Sequence, residues 1–270
     1  MNQLDSVVPP ARAEVRFAEY PAPAVVASAV LAVWRFQVPG DVVFTEPFSI
    51  WPDASASIVL PGRGFVPPVI SGPRDKPGEV PVNSGDETWG VKWWPDCAAS
   101  ALRVEARALA GRITNAPVDV CAELQPVRDA IRAQAPAEQI RDALWSWAER
   151  RVMQMAPIDA LVRAATYELV SSRGAMAINT LAEKLGSTQR TLARHFADRV
   201  GLSPKFFARI CRFHYALSRF ESQPHTSVAE HANGAGYADE PHLFREFRTL
   251  AGLGPREISR RLAAIDHDPV

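Results

Sequence analysis

Residues 192–196 read Leu-Ala-Arg-His-Phe, and residues 243–247, which lie 51 positions later, read Leu-Phe-Arg-Glu-Phe. The segments that follow also match, because residues 201–204 are Gly-Leu-Ser-Pro and residues 252–255 are Gly-Leu-Gly-Pro. Internal repetition at a fixed spacing indicates that one supersecondary unit occurs twice. Residues 178–262 contain both copies, and the rest of the chain is best understood in relation to them.

Each copy has the pattern of two short helices joined by a tight turn. In the first copy Leu181 and Leu185 have helical spacing, and Gly186 suits the left-handed position that ends a helix. Ser187 or Thr188 can then cap the helix that follows. A short helix, a turn and a second helix together predict a helix-turn-helix unit.

The second helix of each copy has an apolar inner face and a basic outer face. Leu192 and Phe196 are four residues apart and face inward, whereas Arg190 and Arg194 lie about 200° away at ~100° per residue. Arginines on the outer face of a second helix are typical of a helix that enters the major groove. The second copy repeats this arrangement with Asp239 as the cap, Pro241 near the first position, Leu243 and Phe247 inside, and Arg245 and Arg248 outside.

The distribution of charge supports contact with nucleic acid. The chain as a whole is neutral, with 30 basic and 30 acidic residues. Residues 178–262, however, have 13 Lys and Arg against 8 Asp and Glu, whereas residues 1–117 have 10 against 12. Basic charge that is concentrated in one module is the expected footprint of a protein that binds phosphate backbone.

The repeat resembles the DNA-binding domain of AraC/XylS-type transcription regulators, in which two helix-turn-helix units flank a long linker helix. Residues 206–220 match that linker helix, and Gly236-Tyr237-Ala238-Asp239 matches the family signature. The resemblance implies that bases are read by Thr188, Gln189, Arg190 and Arg194 in the first copy, and by His242, Arg245 and Arg248, capped by Asp239, in the second. It implies phosphate contacts or linker struts at Lys205, Arg209 and Arg212.

Three features set the second copy apart from the family pattern. His231 stands where an apolar residue is usual, and Gly234 interrupts a helix at a cost of ~1 kcal/mol relative to Ala. Glu240-Pro241 also brings an acid to the tip of the second recognition helix. We therefore expect the second copy to contribute less to sequence reading than the first.

Residues 1–117 have a different character. They contain most of the 23 prolines, and short alternating segments such as residues 57–60 and 88–93 are separated by turn clusters. This pattern predicts a small β-rich domain, either a barrel or a sandwich, with a helix over residues 22–33 laid across it. Residues 118–156 have helical periodicity and predict a helical hairpin, after which residues 157–270 form the DNA-binding domain. The predicted fold class is α+β.

The N-terminal part resembles the sensor domain of some AraC-type regulators at Trp34, Pro52-Asp53, residues 71–74 and residues 90–92 before Pro95. In an extended strand Trp89, Val91 and Trp93 share one face, whereas Lys92 and Trp94 share the other. We expect the first face to be core. Candidate ligand-binding residues are Trp51, Asp53, Arg74 and Trp94, although turn capping explains the two charged residues equally well.

Several classes of protein are disfavoured. All six histidines lie at or after His195, so a His-based metal site in the N-terminal domain is excluded. No nucleophile elbow, zinc-protease motif or glycine-rich phosphate loop is present, and Cys97 has no basic neighbour in sequence to activate it. We expect neither an enzyme nor a cofactor. The absence of a signal peptide or a membrane-length apolar run, and three scattered cysteines, favour the cytoplasm.

The sequence therefore predicts a DNA-binding transcription regulator that responds to a small ligand or partner through its N-terminal domain. Double-stranded DNA is the main expected partner, and RNA polymerase and a second copy of the chain are further candidates. An alternative from another class is a small-molecule-binding domain whose helical part contacts proteins rather than DNA. A steep salt dependence of nucleic-acid binding would favour the first interpretation.

Overall fold

The computed structural model describes residues 7–8, 15–40, 48–62, 66–223, 225–262 and 265–267. Within these residues the strands are β1 Val7–Val8, β2 Val15–Pro21, β3 Val30–Gln37, β4 Phe48–Ile50, β5 Ala56–Pro61, β6 Val69–Ser71, β7 Gly78–Val80, β8 Glu87–Trp93, β9 Ile113–Asn115 and β10 Ile265–His267. Nine of these ten strands precede residue 116, so the N-terminal part is β-rich, as predicted.

The helices follow, with two short ones inside the β-rich part. They are α1 Ala98–Leu102, α2 Ala106–Leu109, α3 Val118–Glu123, α4 Gln125–Arg132, α5 Ala137–Gln154, α6 Ala160–Ser171, α7 Ile178–Lys184, α8 Gln189–Arg199, α9 Pro204–Ser222, α10 Val228–Gly234, α11 Glu240–Ala251 and α12 Pro255–Leu262. An N-terminal sheet region, then helices, then a helical helix-turn-helix domain confirms the predicted fold class.

The strands form two sheets. One has seven strands in the order β10-β2-β3-β8-β5-β6-β9, and the other has three in the order β1-β4-β7. Strand β8 lies at the centre of the larger sheet, between β3 and β5. Its residues Trp89, Val91 and Trp93 are fully buried, and the Trp93 ring meets Trp147 of α5 edge-on, with centroids 6.0 Å apart. The helical hairpin therefore covers the face of the sheet that the tryptophan alternation predicts to be core.

The helix predicted over residues 22–33 is wrong. Residues 24–29 form turns, in which the Val26 amide donates to the Pro23 carbonyl at 3.0 Å, and β3 begins at Val30. A short apolar run bounded by a proline fits a buried strand as well as a helix segment. Here two neighbouring strands pair with β3 on both edges, so tertiary pairing overrides the local helical preference.

The N-terminal and C-terminal parts share a core. Phe17 of β2 and Phe36 of β3 belong to the same buried cluster as Phe213 of α9 and Phe247 of α11. Strand β10 pairs with β2 in parallel register, so the C-terminal residues add an edge to the N-terminal sheet. A separate cluster packs α6, α7, α8 and the first half of α9. The core of the first helix-turn-helix thus takes only Ala54 from the N-terminal part, whereas the core of the second includes residues of the sheet.

Candidate nucleic-acid interface and interior cavity

The first helix-turn-helix consists of α7, a turn and α8. Gly186 adopts a left-handed φ of 63° in the turn, and the Thr188 hydroxyl caps α8 by accepting from the Thr191 amide at 3.1 Å. Leu192 and Phe196 are fully buried, and the Phe196 ring packs edge-on against Phe207 of α9 at 5.3 Å. These contacts fix the rotation of α8 about its axis.

That rotation leaves the predicted base-reading face open. Gln189, Arg190 and Arg194 are all exposed, and the two arginines lie one turn apart on the same stripe of α8. Neither guanidinium makes an ion pair with any residue that the structure describes. Two guanidinium groups without an ion pair in the described part of the chain are therefore available to an anionic or hydrogen-bond-accepting partner.

The second helix-turn-helix consists of α10, a turn and α11. The Asp239 carboxylate caps α11 by accepting from the His242 amide at 2.6 Å, and Leu243 and Phe247 are fully buried. The His242 ring is half-buried against Tyr237, and its Nδ1 accepts from the Ala238 amide at 3.3 Å. This imidazole is thus partly used in the local structure, whereas Arg245 and Arg248 are exposed.

The repeat spacing allows the two recognition helices to be compared position by position. At an offset of 51, Gln189 corresponds to Glu240 and Arg190 corresponds to Pro241. Arg194 corresponds to Arg245, which is also exposed. The second helix therefore keeps one of the two arginines of the first and has a carboxylate in place of an amide at its tip.

The linker helix α9 carries three of the predicted DNA contacts, and two of them are engaged inside the protein. Arg209 forms a two-pronged ion pair with Glu246 of α11, with distances of 2.9 and 3.0 Å. Arg212 donates to the Gly174 carbonyl at 2.7 Å. These contacts favour the strut role over the phosphate role for both. Lys205, near the start of α9, is exposed.

The unusual residues of the second copy have structural explanations. His231 is buried, with its ring centroid 4.1 Å from that of Phe220, and it fills the space of an apolar residue. Gly234 lies against Arg219, since an added Cβ would approach the guanidinium carbon to 2.5 Å. Both departures therefore serve packing against α9.

A cavity of about 470 Å³ lies between the two sheets. Its walls are mostly apolar and come from both sheets, and the lining includes Phe17, Trp34, Phe36, Val59, Val69 and Val80. The Trp34 indole lies directly over Gly90, where an added Cβ would come within 2.2 Å of the ring. A glycine at that point in β8 is therefore required to admit the tryptophan.

Polar groups enter this cavity at a few points. Asp53 and Lys92 form an ion pair at 2.9 Å, and Arg74 lies nearby because its amide donates to the Asp53 carbonyl at 2.8 Å. Burial alone would raise the pKa of Asp53, but the charge of Lys92 and the Ser55 amide outweigh it and hold the pKa at about 2. Asp53 is therefore ionised at neutral pH.

Asp53 also faces a second cavity of about 320 Å³ between the N-terminal domain and the linker helix. On the far side of this cavity His214 of α9 donates from Nε2 to the Pro52 carbonyl at 2.8 Å. Burial lowers the pKa of His214 to about 4, so the imidazole is neutral at pH 7. Trp51 packs edge-on against Phe213, with centroids 6.4 Å apart. Residues 51–53 thus touch both the cavities and the linker helix.

The four predicted ligand residues fall in three different places. Asp53 and Arg74 line the larger cavity, and Trp94 lines the second one, where it stacks on Tyr167 of α6 at 5.8 Å. Trp51 is fully buried in the shared core and lines neither cavity. Sequence reasoning did not select Lys92 or Trp34, although the strand alternation had placed Lys92 opposite the core face.

The N-terminal part also touches the first helix-turn-helix. Asp96, whose carboxylate is completely buried, pairs with Arg163 of α6 at 2.7 Å, and Arg107 of α2 pairs with Asp198 of α8 at 2.8 Å. Gly201, just after α8, approaches α2 closely, since an added Cβ would lie 2.4 Å from the Ala106 carbonyl oxygen. The end of the first recognition helix is therefore in direct contact with the β-rich part.

Two helix-turn-helix units flanking a long helix, each with an exposed basic recognition helix, define a class of DNA-binding domain. The model of the helix-turn-helix domain family matches residues 181–261. This part of the chain is thus an AraC-type helix-turn-helix domain, as its repeat predicted. A search of curated proteins finds no match.

Solved structures with a similar arrangement include two of ToxT from Vibrio cholerae. The structure from strain O395 is 12% identical, covers 93% of this chain and 96% of its own, and has a TM-score of 0.40. The unsaturated fatty acid-bound wild type from strain SCE256 is 12% identical, covers 97% of each chain, and has a TM-score of 0.41. Among the residues that our structure describes, no helix is both long and apolar enough to cross a membrane.

Proposed function

We propose that the chain is a sequence-specific transcription regulator in which α8 reads bases and α11 mainly holds the DNA backbone. The observation that carries this proposal is the pair of exposed arginines, Arg190 and Arg194, which lie on one stripe of a rigidly packed helix and form no ion pair with a described residue. An arginine can contact guanine through two hydrogen bonds, which is worth ~1–3 kcal/mol of discrimination against the wrong base.

The different roles of α8 and α11 in this proposal follow from the position-by-position comparison of the two helices. Glu240 at the tip of α11 would repel phosphate and cannot donate to base acceptors, so the tip of this helix is poorly suited to the groove. Arg245 and Arg248 remain, and they lie further along the helix. We therefore assign base reading to Arg190 and Arg194, helped by Gln189 and Thr188, and a backbone role to Arg245, Arg248 and Lys205.

The N-terminal domain is proposed to sense a small ligand in the larger cavity. Supporting this, residues 51–53 form part of the cavity wall through Asp53 and hold α9 through Pro52 and Trp51. A change at the cavity that moves this segment would therefore reach the linker helix between the two recognition helices. RNA polymerase and a second copy of the chain are proposed as further partners, and the cytoplasm as the location.

The equivalent arginines Arg194 and Arg245 provide a matched test. The best-bound duplex is first selected from a randomised library, and anisotropy titrations then compare it with a scrambled duplex at several salt concentrations. Arg194→Ala should weaken the selected duplex roughly ten- to a hundredfold and relax the preference at one base position. Arg245→Ala should instead weaken both duplexes alike and lower the log–log salt slope by ~1.

Both variants should fold normally, because exposed substitutions rarely change stability by more than ~0.5 kcal/mol. Unchanged binding of both duplexes by Arg194→Ala would overturn the assignment of α8 to the groove. Failure of the wild type to bind any duplex in a salt-dependent way would instead favour a helical module that contacts proteins.

A further inference from the structure

Arg74 is a buried charge without a counter-ion among the residues that the structure describes. Its side chain is only 9% exposed, and its Nε is buried with no hydrogen-bond partner. No carboxylate among the described residues forms an ion pair with it, and its one hydrogen bond there is the backbone contact to Asp53. Burial lowers the pKa of Arg74, but a guanidinium stays protonated in proteins. A positive charge therefore lies at the cavity wall, and no described residue supplies an anion to it.

The backbone holds this guanidinium in place. Gly78 of β7 lies against it, since an added Cβ would come within 2.3 Å of Nη1. Because β7 belongs to the small sheet and Arg74 lines the cavity, the charged group is confined between that sheet and the interior space. Such confinement limits the loss of side-chain entropy when a ligand is bound.

The other charged groups of the cavity lining have partners. Lys92 pairs with Asp53 at 2.9 Å, and Glu87 pairs with Arg35 at 2.8 Å. Asp86 accepts from the Asn83 amide at 2.6 Å, and Glu19 also has an interaction partner. The acidic groups of the described lining are therefore engaged, and among these lining residues Arg74 is the charge that an incoming group can neutralise.

The remainder of the lining is apolar. Phe17 and Trp34 stack with ring centroids 6.3 Å apart on one side, and Val59, Val69 and Val80 come from other strands. The volume of about 470 Å³ lies within the range of ~300–1,000 Å³ that is usual for small-molecule sites. This space would exclude a strongly hydrated molecule and favour a hydrocarbon or aromatic body.

We infer that the cavity binds an organic acid with an apolar body, whose carboxylate pairs with Arg74. The planar guanidinium suits a carboxylate because two parallel hydrogen bonds can form. Binding supplies the missing counter-charge to a buried group, so the ligand and the protein stabilise each other. This inference rests on the proposed function, because it names the class of ligand to which the N-terminal domain responds.

The test uses the full chain and matched pairs of acid and alcohol: octanoate with octan-1-ol, decanoate with decan-1-ol, and 4-phenylbutanoate with 4-phenylbutan-1-ol. Calorimetry and thermal unfolding should show that at least one acid binds and raises the unfolding temperature. Its alcohol should bind at least about tenfold more weakly, because hydrogen bonds to a charged group are the stronger ones. Failure of all three acids to bind, or equal affinity for acid and alcohol, would overturn the inference.

Variants of Arg74 sharpen the test. Arg74→Met should lower the affinity for the acid at least about tenfold. Without ligand it should be at least as stable as the wild type, because a buried charge with no described counter-ion is removed. Arg74→Lys keeps the charge without the planar fork and should bind with intermediate affinity. Arg112→Met makes the same change of net charge at an exposed site outside the cavity and should bind like the wild type.

The same preparations are then titrated with the selected duplex. Arg74→Met should bind DNA like the ligand-free wild type, because Arg74 lines the cavity and belongs to neither helix-turn-helix. Absence of acid binding together with intact DNA binding would reject the inference alone. Intact acid binding without DNA binding would instead reject the proposed function.

Discussion

The two helix-turn-helix copies have the same sequence pattern but different surroundings. The first has a core that takes one residue from the N-terminal part, and it meets the β-rich part at α2, through the Arg107–Asp198 pair and Gly201. The second shares a core with β2 and β3 and is tied to the linker helix by Arg209 and Glu246. The difference shows that two copies of one sequence motif, each with exposed arginines on its second helix, can be anchored to different parts of the same protein.

The largest expected effect concerns DNA. Scrambling three base pairs under α8 should cost at least about 3 kcal/mol of binding free energy, whereas scrambling three under α11 should cost about 1 kcal/mol, since each mismatch in a read position is worth ~1–3 kcal/mol. Footprinting locates the two half-sites, and competition titrations give the costs. Equal costs for the two half-sites would show that Glu240 and Pro241 do not weaken the second copy.

The next effect concerns the loss of folding stability at low pH, which we expect to arise at His214 beside the second helix-turn-helix. His214 adjoins Phe213, whose ring packs on Phe247 of α11 with centroids 4.8 Å apart. Because the pKa of His214 is lowered from 6.5 to about 4, its neutral form is favoured by folding. The unfolded chain takes up this proton first, so the associated stability is present above pH 6.5 and is lost as pH falls toward 4. The loss should reach about 3 kcal/mol at most.

Urea unfolding of the wild type and His214→Gln between pH 7.5 and pH 4.5 measures this effect. Glutamine can still donate to the Pro52 carbonyl but does not titrate, so the variant should show a smaller decline in stability over this range. Identical pH dependence in both proteins would mean that His214 does not couple protonation to folding.

The smallest expected effect is a difference in folding stability between alanine variants of the two glycines that follow the recognition helices. Gly201 and Gly252 are equivalent in the repeat and have similar left-handed φ values of 83° and 72°. An added Cβ at Gly252 meets nothing within 4 Å, whereas at Gly201 it meets the Ala106 carbonyl of α2. Gly252→Ala should therefore cost about 1 kcal/mol from backbone strain alone, and Gly201→Ala should cost about 1 kcal/mol more because the added Cβ overpacks against α2.

Chemical denaturation of both alanine variants gives these two numbers, and each serves as the control for the other. Equal destabilisation would imply that α2 can withdraw from the first copy without penalty. The contact between the β-rich part and α8 would then have little influence on the recognition helix.

The C-terminal domain could be predicted from sequence because its signals are local. Gly186, Thr188 and Asp239 mark helix ends through their own conformation or side chains, and Leu192 and Phe196 mark an inner face by spacing. The fate of Arg209 and Arg212 could not be predicted in this way. Their partners, Glu246 and Gly174, are 37 and 38 residues away, and only packing of the helices brings them together.

The N-terminal domain was predicted less completely for the same reason. Alternation identified the face of β8 that packs on the helical hairpin, but the strand at Val30 depends on β2 and β8 pairing with it from both sides. From sequence, Arg74 is a candidate ligand-binding residue that turn capping explains equally well. Its importance lies in the absence of a described counter-ion, which is a property of the surroundings and leaves no trace in the local sequence.

Strand β10 has a mechanical consequence. The DNA-binding part is connected to the β-rich part through residues 155–159 before α6, and again through the parallel pairing of Ile265 with Val15. A body held by one joint can turn about three axes, whereas a body held at two separated points can turn only about the line between them. The shared core of Phe17, Phe36, Phe213 and Phe247 adds a further attachment, so a rotation of the recognition helices against the sheet would have to break contacts in that core.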